Sequence, residues 1–393
     1  MSLARSFQRF RSRSKKIPPP RKKVYLEPLE PRVLLSDFTY APAAGVALDA
    51  TLRLHEADAG DTLELVNNSD DLVLQSQAIA DTSAVVITGA EQSDRLTIDF
   101  SNPFSIPIAF GDTSAEDSDS LEVVGTENIW DITANDKGRI RGGTVVDFEA
   151  IENLLGGSDT DTFIFWGGSK LKGLLKGGGG SDKLVGADTA NVWNVTDSDS
   201  GRLNGQIFTE IENLSGGAVA DTFIFADGSS LSGIIDGGDG INTLDYSAYT
   251  MDVTVNLETG EATGIAGMES IQNLVGGQAV DTIIGPDTDT IWNIIGTDAG
   301  DVSGITFAGF EKLTGGAGAD TFVFGDGAGV TGVIDGGAGI NALDYSAYST
   351  DVIVDLIAGT ATGSGRVANI QNVTGGSGND TISGNAEANT TGQ

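Results

Sequence analysis

The chain has 393 residues, of which 55 are glycine and none cysteine, and it carries a net charge of −34. Without cysteine there is no disulfide framework and no thiolate metal site, and so acidic a chain repels nucleic acid and anionic lipid. Glycine lacks the every-third spacing of collagen, and 39% hydrophobic residues are too many for wholesale disorder.

Charge is unevenly placed along the chain. Ten of the 22 Lys and Arg, but only two of the 56 acids, lie in residues 1–36, so 12 bases face 54 acids in the remainder. The leader MSLARSFQRFRSRSKKIPPPRKKVY is basic and broken by three prolines. It lacks the apolar core of a secretory signal, and no run in the chain reaches membrane-spanning length. The following residues Leu29, Glu30, Pro31, Arg32, Val33, Leu34, Leu35 and Ser36 resemble the LEPR-XLL segment found near the N-terminus of large repetitive bacterial proteins. That resemblance implies an exported or surface protein. Residues 1–36 are therefore expected to form a disordered basic leader.

Residues 37–125 carry short β-rich runs at close intervals, among them TLELV, LTIDF and IPIAF. They read as irregular N-terminal β coils that cover one end of a stack, which protects an open sheet edge. From 126 to 384 the chain repeats itself. IENLSGGAVADTFIF (211–225) returns 99 residues later as FEKLTGGAGADTFVF, and GGDGINTLDYSAY (237–249) returns as GGAGINALDYSAY. Glycine pairs 21 residues apart, at 156 and 177, 216 and 237, and 315 and 336, divide this into smaller units of turn then strand. About five units of roughly 20 residues fill each repeat, the size of one solenoid coil. Phe163 and Phe165 fall on one face by strand alternation, as do Phe223 and Phe225, and Phe322 and Phe324. The predicted fold is all-β, a parallel β-solenoid (β-helix or β-roll-like), with residues 385–393 as a disordered tail. GNAEANTTGQ follows a fresh turn with no capping element, as if an array had been cut.

The turns carry the chemistry. GGGGSDKLV (177–185), GGAGADTFV (315–323) and GGSGNDTIS (375–383) match GGxGxDxUx with U a large apolar residue, and this pattern resembles the haemolysin-type (RTX) calcium repeat. The resemblance implies calcium as cofactor. Its ligand turns would be Gly177, Gly178, Gly180 and Asp182; Gly315, Gly316, Gly318 and Asp320; and Gly375, Gly376, Gly378 and Asp380, with Asp161 stacked one unit before Asp182. Hard Ca²⁺ takes six to eight oxygens, which carboxylates and turn carbonyls can supply. The copies depart from the family pattern: they lie 21 or 39 residues apart rather than in tandem, and Asn242 and Asn341 stand where the acid belongs.

Other recurrent residues read as structural. Asn153, Asn213, Asn273 and Asn372 suggest an amide ladder at a coil corner. Trp130, Trp193 and Trp292, and the tyrosines at 246, 249, 345 and 348, suggest core packing. His55 is the sole histidine, which leaves no Ser–His–Asp or Cys–His set unless it serves itself. The combined reading is a non-enzymatic, exported bacterial surface or extracellular protein, adhesive or structural, with calcium as ligand and matrix or host glycans or proteins as partners. The alternatives are a secreted polysaccharide lyase or epimerase, with Lys170, Lys172, Lys176 and Lys183 as the place to look, or a passive stalk for other domains.

Overall fold

The computed structural model describes residues 35–58, 60–112, 114, 116–385 and 390–392. The leader, and all but the last two residues of the LEPR-XLL segment, lie outside the described residues. From Leu35 onward the chain forms one contact unit. It is built from β-strands, with a single 3₁₀ turn at Ile79–Asp81 and no α-helix among the described residues.

Strands alternate between two long sheets as the chain advances, and most neighbours within each sheet are parallel. In the first sheet, Phe163 lies beside Leu184, Leu184 beside Leu214, and Leu214 beside Ile235. In the second, Trp193, Phe223, Leu244, Leu274 and Phe307 follow one another in register. All nine side chains are buried. Parallel strands in register stack identical inward positions, so one apolar residue per strand builds a continuous core that no single coil could bury. Each large side chain so buried contributes roughly 2–3 kcal/mol. The predicted solenoid and its inward Phe pairs are therefore present. Trp130, Trp193 and Trp292 are fully buried, and they stack on Phe163, Phe223 and Phe322 with centroids 5.3, 5.6 and 5.6 Å apart.

The coils are not uniform, and here the simple turn–strand unit needs correction. At intervals one coil makes an antiparallel excursion. The chain runs along Asn128–Ala134, reverses through Lys137–Arg141 and reverses again through Val146–Glu149. The third strand pairs with the preceding coil at Ile108–Gly111, and the first pairs with the following coil at Asp161–Phe165. One coil thus contributes three strands to one sheet. The same device recurs at 192–209, 254–269 and 291–308, on alternating sheets; at 353–368 the first two strands instead form a small third sheet with Thr381–Ser383, while Ser364–Ala368 joins the first long sheet. Equivalent residues lie 21 or 25 apart where the coil is plain and 28 to 33 apart where an excursion intervenes. In two of these hairpins the reversal is made by Asn204–Gly205 and Ser303–Gly304, both residues at positive φ (49° and 91°, 50° and 82°). That is the conformation a two-residue type I′ turn demands.

The irregular N-terminal coils belong to the same sheets. Ser36–Tyr40 pairs with Thr82–Thr88, and Asp49–His55 with Arg95–Asp99, both parallel. At the other end, where a tail without structure was expected, residues 390–392 pair with Asn372–Thr374.

Candidate functional site

Many passages from one sheet to the other turn a corner that ends in Asp, Asn, Glu or Gln, and these side chains point inward along the stack. Asp161 is fully buried; its Oδ1 accepts from the backbone N–H of Asn128 at 3.0 Å and from Trp130 Nε1 at 3.2 Å. The Asp161 N–H in turn donates to Asp182 Oδ1 at 2.7 Å, and the Asp182 N–H donates to Glu212 Oε2 at 2.6 Å. The corners therefore form a ladder in which each rung's side chain takes the N–H of the preceding rung. It satisfies backbone donors that a buried turn would otherwise leave unpaired.

The ladder recurs along the molecule. Asn191 donates to Asp221, Asp221 to Asn242, and Asn242 to Gln272, at 2.7, 2.9 and 2.8 Å. Asp320 donates to Asn341 and Asn341 to Gln371, at 2.9 and 2.8 Å. Val253 donates to Asp281 and Asp281 to Glu311, at 2.7 and 2.8 Å. Each series starts and stops near an antiparallel excursion. The acids and amides of the IEN and IQN words are thus rungs, a role that sequence reasoning missed although Glu152, Glu212, Gln272 and Gln371 recur beside the asparagines it did single out.

The predicted ligands are placed as follows. Asp161 and Asp182 are successive rungs, and Asp320 heads another series. Asp380 is partly exposed and accepts the Val352 N–H at 2.9 Å. The glycines at 177, 178, 180, 315, 316, 318, 376 and 378 line the corners where coils meet backbone to backbone, while Gly375 sits against the Asp380 side chain. Gly177 is the clearest case. A Cβ there would stand 1.9 Å from the Glu210 carbonyl oxygen and 2.4 Å from Asp182 Oδ2. At the equivalent Gly237 and Gly336, the same two places are held by Ser270 O with Asn242 Nδ2, and by Asn369 O with Asn341 Nδ2. Those amides donate to those carbonyls at 2.9 and 3.0 Å. Asp182 puts a carboxylate oxygen where its two counterparts put an amide donor.

The corners at Asp161 and Asp182 do not present a calcium cage. The cation requires six or more converging oxygens. At Asp161 and Asp182 one oxygen takes an N–H and the other is wedged against the glycine that opens its own turn. Neither carboxylate joins a group of three acids with converging oxygens. The one such group among the described residues is Asp112, Asp117 and Asp119, outside the predicted motifs.

Electrostatics at the corners follows from burial. Loss of water raises Asp161 from 3.8 to about 7, and the Asp182 charge adds to the rise against the hydrogen bonds from Asn128 and Trp130. Burial likewise raises Asp182 to about 6, against the Asp161 N–H and with Glu212 and Glu210 nearby. It raises Asp320 to about 6. A carboxyl in this range can hold a proton and donate it, as the neighbouring amides do.

The asparagine ladder also differs from expectation. Asn213 does not bond the next amide: its Oδ1 accepts the Ile234 N–H at 3.2 Å, and its Nδ2 donates to Asp182 O and Ser181 Oγ at 3.0 Å each. Asn153 does the same with the Leu174 N–H, Asp119 O and Ser118 Oγ. Each amide clamps the backbone of both adjacent coils. Asn213→Ala is expected to cost about 1–3 kcal/mol, read as a lowered urea midpoint; an unchanged midpoint would show the clamp to be dispensable.

His55 is exposed on its strand. Lys172 pairs with Asp136 at 3.6 Å and Lys176 with Glu210 at 2.9 Å. The denser basic group is on the excursion strand Lys137–Arg141. There Lys137, Arg139 and Arg141 pair with Glu149, Asp147 and Asp131 at 3.0, 2.5 and 2.5 Å. Tyr246 and Tyr345 are buried and donate to Thr263 O and Thr362 O at 2.7 Å. No helix among the described residues is long and apolar enough to cross a membrane. No protein-family model matches the chain, and no curated protein matches it.

Proposed function

We propose that this chain is an exported, non-enzymatic β-solenoid that serves as a structural or adhesive element at a bacterial surface or in an extracellular matrix, with calcium as its ligand. The observation that carries this reading is the use made of the repeated polar residues. The corner Asp, Asn, Glu and Gln side chains are consumed in joining coil to coil, rung after rung, as the ladder from Asn128 through Asp161 and Asp182 to Glu212 illustrates. Chemistry that is multiplied along a stack and turned inward serves the stack. The remaining acidic surface keeps such a protein dispersed. Ile241 and Ile340, equivalent in two repeats, are 64% and 65% exposed and supply a repeated apolar contact point for an adhesive role.

Two measurements test this. Protease treatment of intact producing cells is expected to remove the protein while cytoplasmic markers survive. The purified chain is expected to leave pectate and alginate intact. Protection inside the cell would defeat the exported role, and depolymerisation of either polyanion would favour the lyase alternative.

A further inference from the structure

We infer that Asp112, Asp117 and Asp119 form a calcium site at an enlarged corner of the N-terminal coils. The inference takes calcium from the reading above, but it concerns residues outside the repeats, and the exported role stands or falls separately.

The corner lies between the strands Ile108–Gly111 and Ser120–Val124, which belong to the two different sheets. Five positions separate the opening glycine from the rung acid at Gly89 and Asp94, and again at Gly156 and Asp161; eight separate Gly111 from Asp119. The added length brings in Asp117. One carboxylate oxygen from each of Asp112, Asp117 and Asp119 lies within 4.8 Å of the other two.

A second observation points to a ligand there. Asp119 is fully buried; its Oδ1 accepts the Asp94 N–H at 2.7 Å, while its Oδ2 is buried with no partner. Both oxygens of Asp117 and Oδ1 of Asp112 are likewise buried and unpartnered. A fourth carboxylate adjoins them, because a Cβ on Gly89 would stand 2.3 Å from Asp94 Oδ2 and 2.9 Å from Asp112 Oδ1. None of the ion pairs among the described residues brings Lys or Arg to these acids. Uncompensated buried carboxylates are costly; a proton relieves a single acid such as Asp182, whereas three converging carboxylates are relieved together by a cation. Oxygen donors alone select a hard ion. An irregular set of three or four carboxylates suits Ca²⁺, whereas Mg²⁺ demands a near-ideal octahedron.

Occupancy would brace the first ladder, because Asp119 is its middle rung between Asp94 and Glu152, whose Oε2 accepts the Asp119 N–H at 2.9 Å. By mass action, an ion scarce inside a cell and millimolar outside stabilises the fold only after export.

The test uses the full chain, stripped with chelator and titrated with CaCl₂ by calorimetry. Asp117→Asn is the informative variant, since no group among the described residues bonds the Asp117 carboxylate and the ladder is untouched; circular dichroism checks its fold. Wild type is expected to bind about one Ca²⁺ with a dissociation constant near or below about 10⁻⁴ M. Asp117→Asn should weaken this at least about tenfold, and Asp182→Asn should leave it unchanged. Equal binding by wild type and Asp117→Asn, or no binding by either, overturns the site. Loss of binding in Asp182→Asn alone would return calcium to the repeat corners and overturn it too. Equal affinity for MgCl₂ would overturn the choice of ion.

Discussion

Raising the pH from about 4 to 8 is expected to destabilise the central coils by on the order of 3–6 kcal/mol, and Asp182→Asn is expected to remove about 1–2 kcal/mol of that loss. Asp161 is raised from 3.8 to about 7, and Asp182 and Asp320 to about 6. Between pH 4 and 7 the folded carboxyls hold protons that the unfolded chain has already released. Their stabilisation is therefore full below about pH 4, falls as pH rises through 6 and 7, and is absent above. The geometry identifies what the proton does. Asp182 Oδ2 and the Glu210 carbonyl oxygen crowd the same glycine, so two acceptors face one another unless one gains a hydrogen. Asn242 and Asn341 solve the same problem with an amide. Asp182→Asn supplies that donor at every pH while its Oδ1 still receives the Asp161 N–H. Acidification also lowers the net negative charge of the whole chain, which stabilises any acidic protein, so the comparison between wild type and variant isolates the corner. Urea unfolding followed by the fluorescence of the buried tryptophans, from pH 4.5 to 8, reads the effect. Parallel pH slopes for the two proteins would show that the corner proton has no energetic role.

Gly177→Ala should cost about 3 kcal/mol or more, against no more than about 0.5 kcal/mol for Gly143→Ala. A Cβ at Gly177 would stand 1.9 Å from the Glu210 carbonyl oxygen, and 2.4 and 2.8 Å from Asp182 Oδ2 and Cβ. The first obstacle is backbone of the adjacent coil, whose Thr209 carbonyl already accepts the Gly177 N–H at 3.0 Å. Relief requires the two coils to separate locally, and in a stack each coil is stabilised only by its neighbours. A Cβ at Gly143 meets nothing within 4 Å, and that glycine is not at positive φ, so alanine there changes little. Equal urea midpoints for the two variants would mean that coils tolerate separation at their corners. That would contradict the tight glycine packing seen at 156, 177, 216 and 315.

Much of the candidate site was legible only in part. The GGxGxD words marked the corners correctly, because glycine is needed wherever backbones meet and an acceptor is needed wherever a buried turn exposes an N–H. The same words suggested calcium ligands, because a ladder acceptor and a metal ligand call for the same residue type. The hint that separates them was Asn242 and Asn341, where the acid is exchanged for an amide. A cation site loses charge by that exchange, whereas a hydrogen-bond rung gains a donor.

By itself the sequence determined the stacking. A repeat of 99 residues with glycine punctuation and alternating apolar runs can bury its inner file only by laying like strands side by side, and this local pattern does not depend on distant contacts. Only the tertiary structure decided which way the corner acids face and where the chain doubles back. It also decided that Asp112, Asp117 and Asp119 meet around one space. Each of those outcomes depends on what the adjacent coil presents across the gap, and that neighbour lies 21 to 33 residues away along the chain.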